Sequence, residues 1–195
     1  MNQLSSLSTN DFLEALTPQK IRIGIILQAG MGLGALFFFL IDVFIYFLQL
    51  SSPANVELLY VCNLLTLMVF FAFAIFVASA QFIYRFLFFS PKRLESALNN
   101  ELRDRYGRLI TATPAEKVIA HIRGAMLIRN ALFEMPTFFG LAVLFTAASN
   151  GLLTLHPWLW INSLPFVIFI ILLIRTFPTK DRLLDIFENY IKGVR

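Results

Sequence analysis

Long apolar stretches, broken by short polar segments, dominate the chain. A helix needs about 20 predominantly apolar residues to cross the hydrocarbon of a bilayer. Four stretches meet or approach that length: residues 23–48, 58–84, 125–148 and 159–174. The fourth is the shortest and carries Pro165 in its first part. It is expected to start slightly earlier or to sit with little tilt. The pattern predicts an all-α, polytopic membrane protein with four transmembrane helices arranged as two hairpins. All 195 residues are expected to form one membrane domain. The first stretch is longer than the roughly 7–15 apolar residues of a signal peptide and follows an acid-containing segment, so it reads as a span.

Polar punctuation predicts helices outside the hydrocarbon. Ser8-Thr9-Asn10-Asp11 is rich in N-cap residues and precedes Phe12, Leu13 and Leu16, as a short interfacial helix requires. Thr17-Pro18 and Thr113-Pro114-Ala115-Glu116 each place a cap before a proline at the first helical position. The first span is thus expected to begin at Pro18. The third is expected to begin in the cytoplasm and run unbroken into the membrane. In the cytoplasmic segment 90–123, Leu94, Leu98 and Leu102 recur every four residues. They predict an amphipathic helix that ends at Gly107 and pairs Glu101 with Arg105. The tail, residues 179–195, gathers Leu183, Phe187, Tyr190, Ile191 and Val194 on one face, as in an amphipathic helix on a leaflet or on the cytoplasmic loop.

Composition places the chain in lipid. Hydrophobic residues make up 58% and charged residues 14%, against about a quarter charged in an ordinary soluble domain. The net charge of +4 could suggest nucleic acid, but the position of the charges excludes it as a partner. None of the 16 Lys and Arg residues falls in loops 51–57 or 149–158, so all lie on one side of the four spans. The positive-inside rule makes that side cytoplasmic, together with both termini. Trp158 and Trp160 read as an interfacial belt at the opposite end. A bacterial inner membrane is the expected location. The lipid bilayer and other membrane-protein chains are the expected partners.

Candidate chemistry is sparse. A lone cysteine, Cys62, permits no intrachain disulfide. His121 and His156 fall on opposite sides of the membrane and cannot share a metal. No phosphate loop, dinucleotide fingerprint, zinc motif or nucleophile elbow is present. The chain is expected to be non-enzymatic, with no catalytic residues, metal or cofactor.

What remains are ionisable groups within the spans, which cost about 2.5–3.5 kcal/mol each on insertion scales and are functional candidates by default. Glu134 lies within about 5 Å of the centre of the third span, and Arg129 about 7.5 Å nearer the cytoplasm, where its stem can snorkel to headgroups. Asp42 lies roughly 10 Å to the outer side of the centre of the first span, nearer water, where a structural role is expected. Arg129 and Glu134 are about 140° apart on the helix and do not pair. Asn130 and Glu134 share a face, and Asn130 is positioned to donate to the carboxyl directly or through water. Desolvation penalises the anion at that depth, so Glu134 is expected as a neutral acid able to bind and release a proton, with Asn130 as helper. The alternative is a protonated Glu134 that only holds a neighbouring helix. Gly30 and Gly34 form a small-xxx-small surface for close helix packing.

Residues 113–145 locally resemble the proton-carrying helix of ATP synthase subunit c. The matching positions are Pro114 in a cytoplasmic loop, the basic Arg123, then Met126, Leu127, Ile128, Ala131, Leu132, Glu134, Phe139, Gly140 and Leu141. The resemblance implies that Glu134 carries the proton. The function expected is proton binding or relay through an intramembrane glutamate. The alternative is a structural or assembly subunit of a larger membrane complex, motivated by the absence of catalytic groups and by two amphipathic cytoplasmic helices.

Overall fold

A computed structural model describes residues 7–51, 53–99, 102–103 and 109–192. The elements run α1 (Thr9–Ala15), α2 (Pro18–Leu48), a 3-10 turn (Val56–Leu58) leading into α3 (Leu59–Phe82), a π-helical turn (Ile83–Phe88), α4 (Pro91–Asn99), β1 (Leu102–Arg103), β2 (Leu109–Ile110) and α5 (Pro114–Ser149). Then follow α6 (Leu152–Leu155), a 3-10 segment (Pro157–Ser163), α7 (Leu164–Arg175), α8 (Lys180–Ile186) and a π-helical turn (Phe187–Lys192). The strands form one antiparallel ladder, with Leu102 opposite Ile110 and Arg103 opposite Leu109.

Four helical stretches among the described residues are long and apolar enough to cross a membrane: Pro18–Leu48, Val56–Phe86, Pro114–Ser149 and Pro157–Arg175. The short fourth span gains length from its 3-10 start, which rises about 2.0 Å per residue against 1.5 Å in an α-helix. The whole stretch reaches about 32 Å, enough for hydrocarbon about 30 Å thick.

Local chemistry sets the helix starts. Ser8 caps α1: the Asp11 amide donates to Ser8 Oγ at 3.1 Å, and the Ser8 amide donates back to Asp11 Oδ2 at 2.9 Å. These bonds hold the Asp11 carboxyl below its ordinary range, because they favour the anion. Pro18 and Pro114 each stand at a first helical position, where a missing N–H costs nothing. Thr113 and Glu116 form the reciprocal bonds of a capping box. α5 then continues unbroken through Pro136. It ends before Gly151, whose φ of 68° is the left-handed conformation glycine adopts without strain.

One predicted helix is shorter than its pattern. α4 stops at Asn99, and Leu102 lies in β1. Leu94 and Leu98 are buried, while Leu102 pairs with Ile110 in the ladder, so strand pairing takes the place of a further helical turn there. The expected Glu101–Arg105 pair, the stop at Gly107 and the place of Val194 fall outside the described residues.

Contacts divide the chain into two compact units. The first comprises Met1–Gln28, Gln81–Arg129 and Thr176–Arg195. Its core joins Phe12 of α1, Leu94 and Leu98 of α4, Val118, Ile119 and Ile122 of α5, and Leu183, Ile186 and Phe187 of the tail. Phe12 and Phe187 stack with centroids 4.2 Å apart. Lys20 Nζ donates to Glu116 at 2.6 Å, tying the start of α2 to the start of α5. The second unit comprises Ala29–Ala80 and Asn130–Arg175. Its core includes Ala35, Cys62, Phe133, Leu141, Leu144, Leu159, Phe166 and Phe169. Within it the Asn55 amide donates to the Asn150 carbonyl at 3.0 Å, joining the two loops that carry no basic residue. Large apolar side chains remain exposed along the spans, Phe71 at 70% among them, as a lipid-facing surface requires.

Candidate functional site

Asp42 lies on α2 about 9 Å before its last residue. The residues one turn to either side fix which way that face points. Phe39 stacks on Phe166 with centroids 4.8 Å apart, and Tyr46 meets Trp160 edge-on at 5.3 Å. Ala35, two turns earlier, is fully buried. Helical spacing of 3, 4 and 7 puts Ala35, Phe39, Asp42 and Tyr46 on one stripe, and that stripe enters the core of the second unit. Asp42 has 0% exposure, and neither carboxylate oxygen has a hydrogen-bond partner among the described residues. The position predicted to be near water is fully buried, on a helix stripe whose neighbours Phe39 and Tyr46 pack against Phe166 and Trp160.

Glu134 occupies the middle of α5 and is only half-buried, with the exposed Ala131 and Met135 beside it. Asn130 is 2% exposed, and its Nδ2 has no acceptor. No direct Asn130–Glu134 hydrogen bond is therefore made. A shared helix face brings the two within range, but Asn130 turns into the core while Glu134 stays near the surface. Arg129 also departs from expectation. It does not snorkel outward; it is 8% exposed, and its guanidinium lies 4.4 Å from the centroid of the Tyr84 ring. A cation over an aromatic face recovers part of the lost hydration. Its Nε remains without an acceptor.

Gly30 and Gly34 are exposed, and a Cβ added at either would meet nothing within 4 Å among the described residues. The tight glycine of α2 is Gly32, where a Cβ would meet Leu173 Cδ1 at 3.1 Å.

A buried polar cluster went unpredicted. Asn162 Nδ2 donates to Thr66 Oγ1 and to the Leu159 carbonyl, both at 2.9 Å, and the Thr66 hydroxyl donates to the Cys62 carbonyl at 2.7 Å. Gly140 packs so closely here that a Cβ would collide with the Asn162 carbonyl oxygen. The Thr137 hydroxyl donates to the Phe133 carbonyl at 3.0 Å, with the Pro165 carbonyl a longer alternative at 3.3 Å. The signal was available, since uncharged polar residues inside apolar runs join membrane helices as charged ones do.

No group of three or more His, Cys, Asp or Glu residues able to hold a metal occurs among the described residues. Compared with protein-family models, curated proteins and solved structures, the chain finds no match. Its class rests on its own helices: four stretches with the length and composition of spans mark a multi-pass membrane protein.

Proposed function

We propose that this chain is a small non-enzymatic membrane protein that binds and releases protons at intramembrane carboxyls, Asp42 on α2 and Glu134 on α5. The enclosure of Asp42 carries this reading. A carboxylate with no exposed surface and no partner bears a desolvation cost of several kcal/mol, and a bound proton removes that cost. Glu134, mid-span and half-buried, is the more accessible of the two. Its local resemblance to the proton-carrying helix of ATP synthase subunit c supports the same chemistry.

The spans run as two hairpins in a bacterial inner membrane, with termini and basic residues in the cytoplasm. Two links support this arrangement: the bond between loops at Asn55 and Asn150, and the ion pair between helix starts at Lys20 and Glu116. Each joins segments that the topology assigns to one side.

Dicyclohexylcarbodiimide tests the reading, because it reacts with neutral carboxylic acids in apolar surroundings. Membranes treated at neutral pH should yield an adduct on Glu134, lost in Glu134→Gln, and a slower one on Asp42, lost in Asp42→Asn. Absence of adducts from both positions would overturn it.

A second reading, an assembly subunit of a larger membrane complex, is favoured by the uncovered Gly30–Gly34 surface. In gentle detergent, the chain should then co-purify with another membrane protein, and Gly30→Leu should abolish the association. Recovery only as a free monomer would count against it.

A further inference from the structure

Within the first unit, the starts of α2 and α5 enclose an open-sided cleft of about 260 Å³. Ile23, Leu27 and Leu127 give it an apolar wall, Gly24 and Gly124 leave it room, and Arg123 stands in its lining. The cleft straddles the points where the two spans are expected to enter hydrocarbon, Ile23 on α2 and Ala125 on α5. Ile23 and Leu27 are 44% and 46% exposed. The volume falls just under the range of about 300–1,000 Å³ for sites that enclose a whole small molecule, so it suits a headgroup or the top of a chain.

Arg123 is under-used. Among the described residues its Nε has no acceptor, and its Nη1 donates to the Lys20 carbonyl across a long 3.4 Å. The nearby carboxylate, Glu116, is engaged by Lys20 and by Thr113. No ion pair to Arg123 occurs among the described residues. A guanidinium has five donors in a planar fork that matches phosphate oxygens.

We infer that this cleft binds one anionic glycerophospholipid of the surrounding leaflet, with its phosphate on Arg123 and the top of an acyl chain against Ile23, Leu27 and Leu127. Charge complementarity and the coincidence of the cleft with the water–hydrocarbon boundary select this occupant. Basic pockets between membrane helices bind such headgroups. The inference does not depend on the proton-binding carboxyls.

The test uses the full chain in nanodiscs of phosphatidylcholine alone or with phosphatidylglycerol. The readouts are the thermal midpoint and, after gentle release, the lipid-bound fraction by native mass spectrometry. Phosphatidylglycerol should raise the midpoint and stay bound. Inorganic phosphate added to phosphatidylcholine nanodiscs should do neither. Arg123→Gln should weaken retention about tenfold, the loss expected for one charge-assisted contact. Gly124→Leu should do the same by filling the cleft with the charge intact. That variant should fold, since a Cβ at Gly124 meets nothing within 4 Å and leucine favours helix over glycine. Arg22→Gln, at an exposed cation outside the cleft lining, should retain the lipid. Full retention by both cleft variants would overturn the inference. So would an equal loss with Arg22→Gln, or a midpoint shift from phosphate alone.

Discussion

The two units treat their polar groups differently. In the first, two carboxylates secure helix starts: Asp11 closes a cap on Ser8, and Glu116 takes both the Lys20 ammonium and the Thr113 amide. Among the described residues, the buried side-chain atoms without a partner there are Nε of Arg123 and Nε of Arg129. In the second unit the leftovers are both oxygens of Asp42, Nδ2 of Asn130 and Oδ1 of Asn162, all inside an apolar core. A satisfied carboxylate explains itself as a structural element. An enclosed, unpartnered one lowers stability and calls for a function to retain it.

This contrast can be broken in graded steps. Phe187→Ala should have the largest effect, because the ring is fully buried and stacked on Phe12. A loss of about 3–5 kcal/mol is expected, read as a lower unfolding midpoint in detergent. It should also release the tail to proteolysis. Gly140→Val should cost about 1–3 kcal/mol by overpacking against the Asn162 carbonyl. It should weaken the second unit, seen as faster amide exchange in α7. Asp42→Leu should move stability the other way at neutral pH, a gain of about 1–3 kcal/mol from deleting an unsatisfied group. A clear loss of stability would mean that Asp42 has a structural partner after all.

The smallest effect concerns pH. The folded-state value of Asp11 lies below that of the unfolded chain, so its contribution is complete above the ordinary value of 3.8 and is lost as pH falls through the depressed value. Acidification to below pH 3.8 should therefore fray α1, raising exchange at the Ser8 amide, and Asp11→Asn should remove that dependence.

Much of the fold was legible because its signals are local. Ser8 and Asp11, Thr113 and Glu116, Pro18 and Pro114 act within three residues of where they sit, and the four spans follow from run length. The site was less legible because its signals are not local. When a helix is apolar on every side, hydrophobic pattern no longer says which face turns inward. Depth along α2 placed Asp42 near water, while the packing of Phe39 on Phe166 and Tyr46 on Trp160 turns its stripe of the helix inward. Asn130 shares a face with Glu134, but its amide enters the core alone. Arg129 found Tyr84, 45 positions earlier, rather than a headgroup. The residue expected to extend α4, Leu102, pairs instead with Ile110 in the ladder, a partner that the four-residue apolar spacing does not announce.

The most direct measurement is pH-dependent infrared difference spectroscopy on the protein in lipid nanodiscs, following the C=O stretch of protonated carboxylic acids. The wild type should show a band shifted as in an apolar, hydrogen-bond-poor setting, absent from Asp42→Asn and retained in Glu134→Gln. A spectrum without that band, or one in which Asp42→Asn leaves it unchanged, would contradict the assignment of a protonatable carboxyl to Asp42.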